Sequence, residues 1–326
     1  MFPDVLVPTL QNKEKAALLL KSYGKDTLSY FHLQEERQHF FSPSGKSFLS
    51  FKVLNRVAIV AADPVGLSSE LPILLKAFLD YTKTWKLVPC FVGLSATYIS
   101  CIQSYGLKTK KIGEEAILCT EHFQRENLKK KVKHTLRHLE KENSEVFFFT
   151  SKNLPDAIRQ QLKMISQSWI QKKGGKEKGF SMTLKRLPNE SDEDCLFAVA
   201  MHRDLALGYL CFVPIYKSAT LSLDQARQKS DAPNGLNELL IIKSAEYFRE
   251  RGIKKLSLNF AAFSQVTTPK TGIKKTVYEI LGNLYKSNTL RKFNEKFLPS
   301  WEDRYIAYQS LGHMPLCLLA ILRAER

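Results

Sequence analysis

Two carboxylates, Asp231 and Glu238, bracket the turn Asp231-Ala-Pro-Asn-Gly-Leu-Asn-Glu238, which opens into an apolar helix. Leu236, Leu239, Leu240, Ile241, Ile242, Ala245 and Phe248 make that helix apolar on nearly every side, the mark of a buried helix. Pro233 and Asn234 are start signals, since proline is tolerated in a first turn and asparagine caps free amides. Glu238 shares a stripe with Ile241, Ile242 and Ala245, so its carboxylate is expected in a poorly hydrated space. A buried carboxylate needs a partner, and a cationic substrate group would serve. The plainer alternative is that Glu238 only complements the helix dipole.

A chain of 326 residues that is 44% hydrophobic can build one large domain or two ordinary ones around a real core. No apolar run approaches the length of a membrane-spanning helix; Leu316 to Leu322 is far too short. The first residues lack the basic-then-apolar pattern of a secretory signal. Six cysteines are scattered without a C-x-x-C pair, which points to a reducing cytoplasm and no structural zinc. His134 and His138 stand one helical turn apart but have no third ligand at metalloprotease spacing, so no metal site is expected. The 49 basic against 32 acidic residues, a formal charge of +17, point to a polyanionic partner (nucleic acid, an anionic membrane face, or both) or else to a basic surface kept for solubility.

The elements that must position the carboxylates recur in two similar halves. In the first, strands over 47–53 and 57–62 precede a helix over 70–86 and a buried strand over 88–93. In the second, strands over 195–201 and 206–213 flank a tight turn at His202-Arg-Asp. A long loop then leads to a helix over 235–251 and a strand over 254–260. Each half adds a helix and a closing strand: 97–105 then 110–118, and 276–291 then 304–308. This order describes an α/β fold with mixed sheets, built from tandem duplicated modules like those of the GNAT acyltransferases. The expected division is 1–145, a GNAT-like module ending in a basic connecting helix, and 146–326, a GNAT-like catalytic module.

The connecting helix, 126–143, carries Leu128, Val132, Leu136 and Leu139 on one stripe. Lys129, Lys130, Lys131, Lys133, Arg137 and Lys141 occupy its other faces, a ridge able to attract phosphates or simply a solvated surface. The stretch Gln171-Lys-Lys-Gly-Gly-Lys-Glu-Lys-Gly-Phe-Ser lacks nucleotide-loop spacing; it is either a flexible phosphate holder, through Lys172 and Lys173, or a surface linker. The R/Q-x-x-G-x-G/A fingerprint for coenzyme A is found nowhere, and carboxylates stand where its pyrophosphate would need amides. No cofactor is expected. Negative groups suit a donor bearing positive charge, such as an aminoacyl group on tRNA, whose ester is already activated for transfer.

Several ordered segments are similar to the C-terminal catalytic domain of bacterial phosphatidylglycerol lysyltransferases and alanyltransferases, the multiple peptide resistance factor family. They are Tyr23-Gly-Lys-Asp-Thr-Leu-Ser-Tyr-Phe31, Asp63-Pro-Val-Gly66, Ile112-Gly-Glu-Glu-Ala116 and Gly174-Gly-Lys-Glu-Lys-Gly-Phe-Ser-Met182. Then come Leu221-Ser-Leu-Asp-Gln-Ala-Arg227, Asp231 to Gly235 with Glu238, Lys296-Phe, and Trp301 to Tyr308. The resemblance implies transfer of lysine or alanine from aminoacyl-tRNA to a phosphatidylglycerol hydroxyl, by a cytoplasmic protein peripheral at the inner leaflet of the membrane. It implies that Asp231 and Glu238 hold the amino acid's ammonium groups, or that one acts as base, with Asn234 and Gly235 beside the substrate. Arg227 would fix Asp231 or touch phosphate. Lys296 and Arg304 would meet the tRNA 3′ end, the lipid phosphate or the oxyanion, unless Arg304 is only an ion-pair partner of Glu302 or Asp303. The family pattern F-K-x-K-F reads Phe293-Asn-Glu-Lys-Phe297 here, with Asn294 in place of a lysine. Transfer to peptidoglycan precursor, or non-catalytic binding of tRNA or anionic membrane, are the competing expectations.

Overall fold

The computed structural model describes residues 10–141, 144–172, 174–175, 182–262 and 287–324. Helix α1 (Leu10–Tyr23) leads into strands β1 (Gln38–Phe41), β2 (Ser47–Leu54), β3 (Val57–Ala61) and the short β4 (Val65–Gly66). Then follow α2 (Leu71–Thr84), β5 (Val88–Ser95), α3 (Ile99–Ser104), β6 (Lys108–Cys119) and α4 (Lys130–Lys141). The second half runs through β7 (Glu145–Thr150), α5 (Asp156–Lys172), β8 (Leu196–His202), β9 (Leu205–Ile215) and β10 (Thr220–Gln228). It continues with α6 (Leu236–Arg249), β11 (Lys255–Ala262), a helix at Ser287–Asn294, β12 (Ser300–Tyr308) and a helix at Met314–Ala324.

All the strands form one mixed sheet in the order β1-β2-β3-β5-β12-β6-β11-β10-β9-β8-β7, with β4 beside β2. Each half repeats antiparallel hairpin, helix and parallel strand, the tandem acetyltransferase-like arrangement expected from the element order. The closing strands are traded, however. β6 from the first half pairs with β11 of the second, and β12 from the second half pairs with β5 of the first. β6 and β12 then pair with each other at the centre. Element order alone could not show this exchange, because a strand's partner is fixed by packing rather than by sequence proximity.

The stretch read as a long loop before the acidic turn contains the nine-residue β10, whose side chains are mostly buried. Gln, Asp and Arg within it masked the strand periodicity. The expected helix over 276–291 lies mostly outside the described residues. Leu236, Leu239, Leu240, Ile241, Ile242, Ala245 and Phe248 of α6 are all buried against β8, β10 and α4, so the apolar reading of that helix holds. Its start differs from expectation. No side chain caps it, and Gly235 takes the cap position with φ 90°. A Cβ at Gly235 would run into Thr135, so the glycine lets α4 approach α6 as well as supplying the left-handed turn.

Candidate functional site

β10 and β11 begin as a parallel pair, Thr220 beside Lys255 through Ser222 beside Ser257, and then part. Both strands are irregular at that point: β10 shifts register between Leu223 and Gln225, and β11 between Ser257 and Phe260. Asn259 adopts φ 81°, and its side-chain oxygen accepts the Phe260 N–H at 2.7 Å. The Leu258 carbonyl is taken by the Asn294 amide at 3.2 Å. Backbone groups that would continue the ladder are therefore satisfied by side chains, as buried polar groups must be.

Segment 182–187 crosses the opening. Met182 packs with Phe260 and Ala262, while Leu184 donates its N–H to Asp224 at 3.0 Å. Gln225 donates to the Arg186 carbonyl at 2.7 Å and accepts from the Tyr209 hydroxyl at 2.9 Å. Of the glycine-bearing basic loop, Lys173 and residues 176–181 lie outside the described residues. Lys172 ends α5 and is exposed.

Beside the opening stands a pair of opposite charges. Lys296, two residues after Asn294, donates to Glu238 at 2.7 Å. Their side chains are 38% and 16% exposed, so the pair is reachable from solvent but partly shielded. Glu238 lies in the first turn of α6, where the helix dipole also favours a carboxylate. Asp231 does not join it. Asp231 is exposed, has no hydrogen-bond or ion-pair partner among the described residues, and sits on the rim of a separate hollow of about 340 Å³. Met164, Ile165 and Leu205 give that hollow an apolar wall, with Lys229 beside Asp231. The expectation of two carboxylates in one dry cavity is corrected on this point: the turn projects Asp231 outward before the helix buries its neighbours. Asn234 is likewise exposed.

Arg304 is also corrected. It is 2% exposed, and its five N–H donors are all engaged. Nε donates to Glu115 at 2.8 Å, Nη1 to the Gly93 carbonyl at 3.0 Å and to Asp26 at 2.7 Å, and Nη2 to Thr27 at 2.5 Å and again to Glu115. A guanidinium has five donors and none remains for an oxyanion or a phosphate. Its partners are not Glu302 or Asp303; Asp303 pairs with Lys111 at 2.6 Å. Arg227 is buried too, bonded to Ser166 and lying 5.3 Å from the Trp169 ring, so it fastens β10 to α5 rather than reaching a phosphate in solvent.

The Arg304 cluster went unread as a site in the sequence, although three of the quoted segments meet there: Asp26-Thr27, Asp63 and Glu115. Asp63 accepts from the Ser95 N–H at 2.9 Å and the Ser95 hydroxyl at 2.5 Å, and Glu115 accepts from Ser257. Burial pushes the Asp26 carboxyl up to about 7, against the pull of Arg304, with Asp63 and Glu115 adding to the rise. Burial also raises Asp63. His32 lies below, depressed to about 3 by burial and by Arg37. It is neutral, donating from Nε2 to the Asp63 carbonyl and accepting from Ser50 at Nδ1, the tautomer that satisfies both contacts.

Packed against α6, α4 buries Val132, Leu136 and Leu139 and leaves Lys129, Lys130, Lys131 and Arg137 exposed before and along it. Lys133 is held by the Glu126 carbonyl at 2.8 Å. Among the described residues no group of histidine, cysteine, aspartate and glutamate could hold a metal ion, and no helix is long and apolar enough to cross a membrane.

Comparison with known proteins places these features in context. A family model described as "Phosphatidylglycerol lysyltransferase, C-terminal" matches residues 17–308. A lysylphosphatidylglycerol biosynthesis bifunctional protein, LysX, from Nocardia farcinica is 28% identical over 94% of this chain and 28% of its own length. The LysX protein of Mycolicibacterium vanbaalenii is 27% identical over 97% of this chain and 30% of its own. The chain therefore spans less than a third of these relatives. The solved structure of L-PGS from Bacillus licheniformis superposes with a TM-score of 0.85 at 23% identity, covering 96% of both chains, and shows the same fold.

Proposed function

Because the chain belongs to the family of phosphatidylglycerol lysyltransferase C-terminal domains, we propose that it moves an amino acid from aminoacyl-tRNA to a hydroxyl of phosphatidylglycerol. The observation that carries this reading is the half-exposed Glu238–Lys296 pair beside the parted strands β10 and β11. The strands stop pairing there, and the pair supplies a base and a cation beside them.

In the reaction, the lipid hydroxyl oxygen attacks the ester carbonyl carbon. Glu238 takes the hydroxyl proton, and Lys296 faces the oxyanion that forms. Collapse breaks the ester bond and returns the proton to the ribose hydroxyl of the departing tRNA. Asp231, at the rim of its own hollow and without a partner among the described residues, would attract the donor's ammonium. Met164, Ile165 and Leu205 beside Lys229 suit an acyl stem next to a phosphate. Asn234 and Gly235 shape the turn between the two carboxylates. Lys129, Lys130, Lys133, Arg137, Lys172 and Lys173 would carry tRNA phosphates, and the same excess of charge would bring the protein to the anionic inner leaflet. We place the module boundary near residue 145, with the chemistry in 146–326. Lysine is the amino acid named for the LysX relatives.

The test is direct. The chain is incubated with charged tRNA and phosphatidylglycerol vesicles, and the lipid is analysed by mass spectrometry. Glu238→Gln should lower kcat by about 10²–10⁴-fold while leaving the melting temperature in place. No aminoacyl lipid from any charged tRNA would overturn the reading. Product on peptidoglycan precursor instead of lipid would move the acceptor.

A further inference from the structure

Another hollow, of about 220 Å³, lies between the end of β6, the turn before α4 and the short 3-10 turn Glu295–Phe297. Phe123, Leu128 and Phe297 form a buried apolar floor, and the exposed side chains of His122, Gln124 and Asn127 form its rim. The Asn127 backbone N–H donates to the Gln124 carbonyl at 3.2 Å, and the two exposed carboxamides meet through one long 3.4 Å contact. Leu298 stands at the mouth, 59% exposed and with φ 54°. A leucine in the left-handed region is strained, and strain kept at an exposed apolar side chain points to a role for that side chain.

We infer that this hollow seats the terminal adenine of the nucleic-acid end of the donor, a proposal that rests on the aminoacyl-tRNA reading above. A flat ring needs an apolar floor and lid, here Phe297 and Leu298, while carboxamides pair with adenine's adjacent amino donor and ring acceptor. Charge continues the match. Lys129 and Lys130 follow the rim in the chain, and the first turn of α4 carries no acidic side chain, so the phosphate on the nucleotide's ribose has cations to meet. Phe297 in the floor directly follows Lys296, the partner of Glu238, in the chain.

Two measurements test the seat separately from the reaction. Adenosine 5′-monophosphate and cytidine 5′-monophosphate are titrated calorimetrically into the whole chain and into Asn127→Leu, a surface change that leaves the fold alone. Adenosine monophosphate should bind at least about tenfold more tightly than the cytidine nucleotide, and Asn127→Leu should erase the difference. Equal binding of the two nucleotides, or an unchanged preference in Asn127→Leu, overturns the seat. In the transfer assay the same variant should raise KM for charged tRNA about tenfold with kcat retained. Transfer that ignores the variant removes the seat and leaves the proposed function standing. Asn127-dependent nucleotide binding without any transfer keeps the seat and removes the function.

Discussion

The two parallel strand pairs of this sheet have the same topology and opposite fates. In the first half, β3 and β5 stay in register from Val57–Val88 through Ala61–Val92, and the ladder continues with Ala62 N–H to the Val92 carbonyl at 2.9 Å. Asp63 then staples the strand ends by bonding Ser95, and Arg304 fills the space below. In the second half, β10 and β11 part after three paired residues. Asn259 and Asn294 divert the backbone groups that would have closed the gap. One repeat stays paired and braced, and in the other the strands part. The difference lies in where a few polar side chains send the hydrogen bonds of the backbone.

Breaking the braced half should have the largest effect. Arg304→Met leaves Glu115 and Asp26 buried without their cation, and should cost about 3–5 kcal/mol in urea or thermal unfolding. A loss below about 1 kcal/mol would mean that the cluster does not hold the exchanged strand. A smaller change should follow from Asp26→Asn, which keeps an acceptor for Arg304. Because the folded carboxyl is raised to about 7, the folded state binds this proton more tightly than the unfolded state, so Asp26 makes stability fall as pH rises from about 4 to about 7. The melting temperature of Asp26→Asn, followed across that window, should fall less than that of the wild type. An identical slope would show that Asp26 is ionised throughout. The smallest effect is expected at the open half. Asn294→Ala strands the Leu258 carbonyl and should cost about 1–3 kcal/mol, with kcat reduced more than Tm implies if the parting of β10 and β11 matters to transfer. A variant with full kcat would separate the opening from the chemistry.

Much of this contrast was legible in the chain. The apolar stripe of α6, the basic ridge of α4 and the repeated order of hairpin, helix and strand follow from periodicity, which reports what each element must bury. Lys296 and Glu238, chosen from separate segments, do meet. Other roles were not legible. Arg304 looked like a free cation because its partners lie far away in sequence at Asp26 and Glu115. Asp231 looked like a partner of Glu238 because seven residues separate them, yet the turn sends it to another hollow. β10 was hidden because a strand buried in a sheet centre can carry Asp, Gln and Arg when each is hydrogen-bonded.

The amino-acid sequence by itself determined which faces had to be dry, the excess of basic charge, and the order of the elements. Only the tertiary structure decided that the halves trade β6 and β12, that one strand pair closes while the other opens, and which charged groups are consumed in holding the sheet. Local pattern records burial along a helix or strand. The pairing of strands and the satisfaction of buried charges depend on contacts between residues that may be nearly two hundred positions apart, such as Glu115 and Arg304.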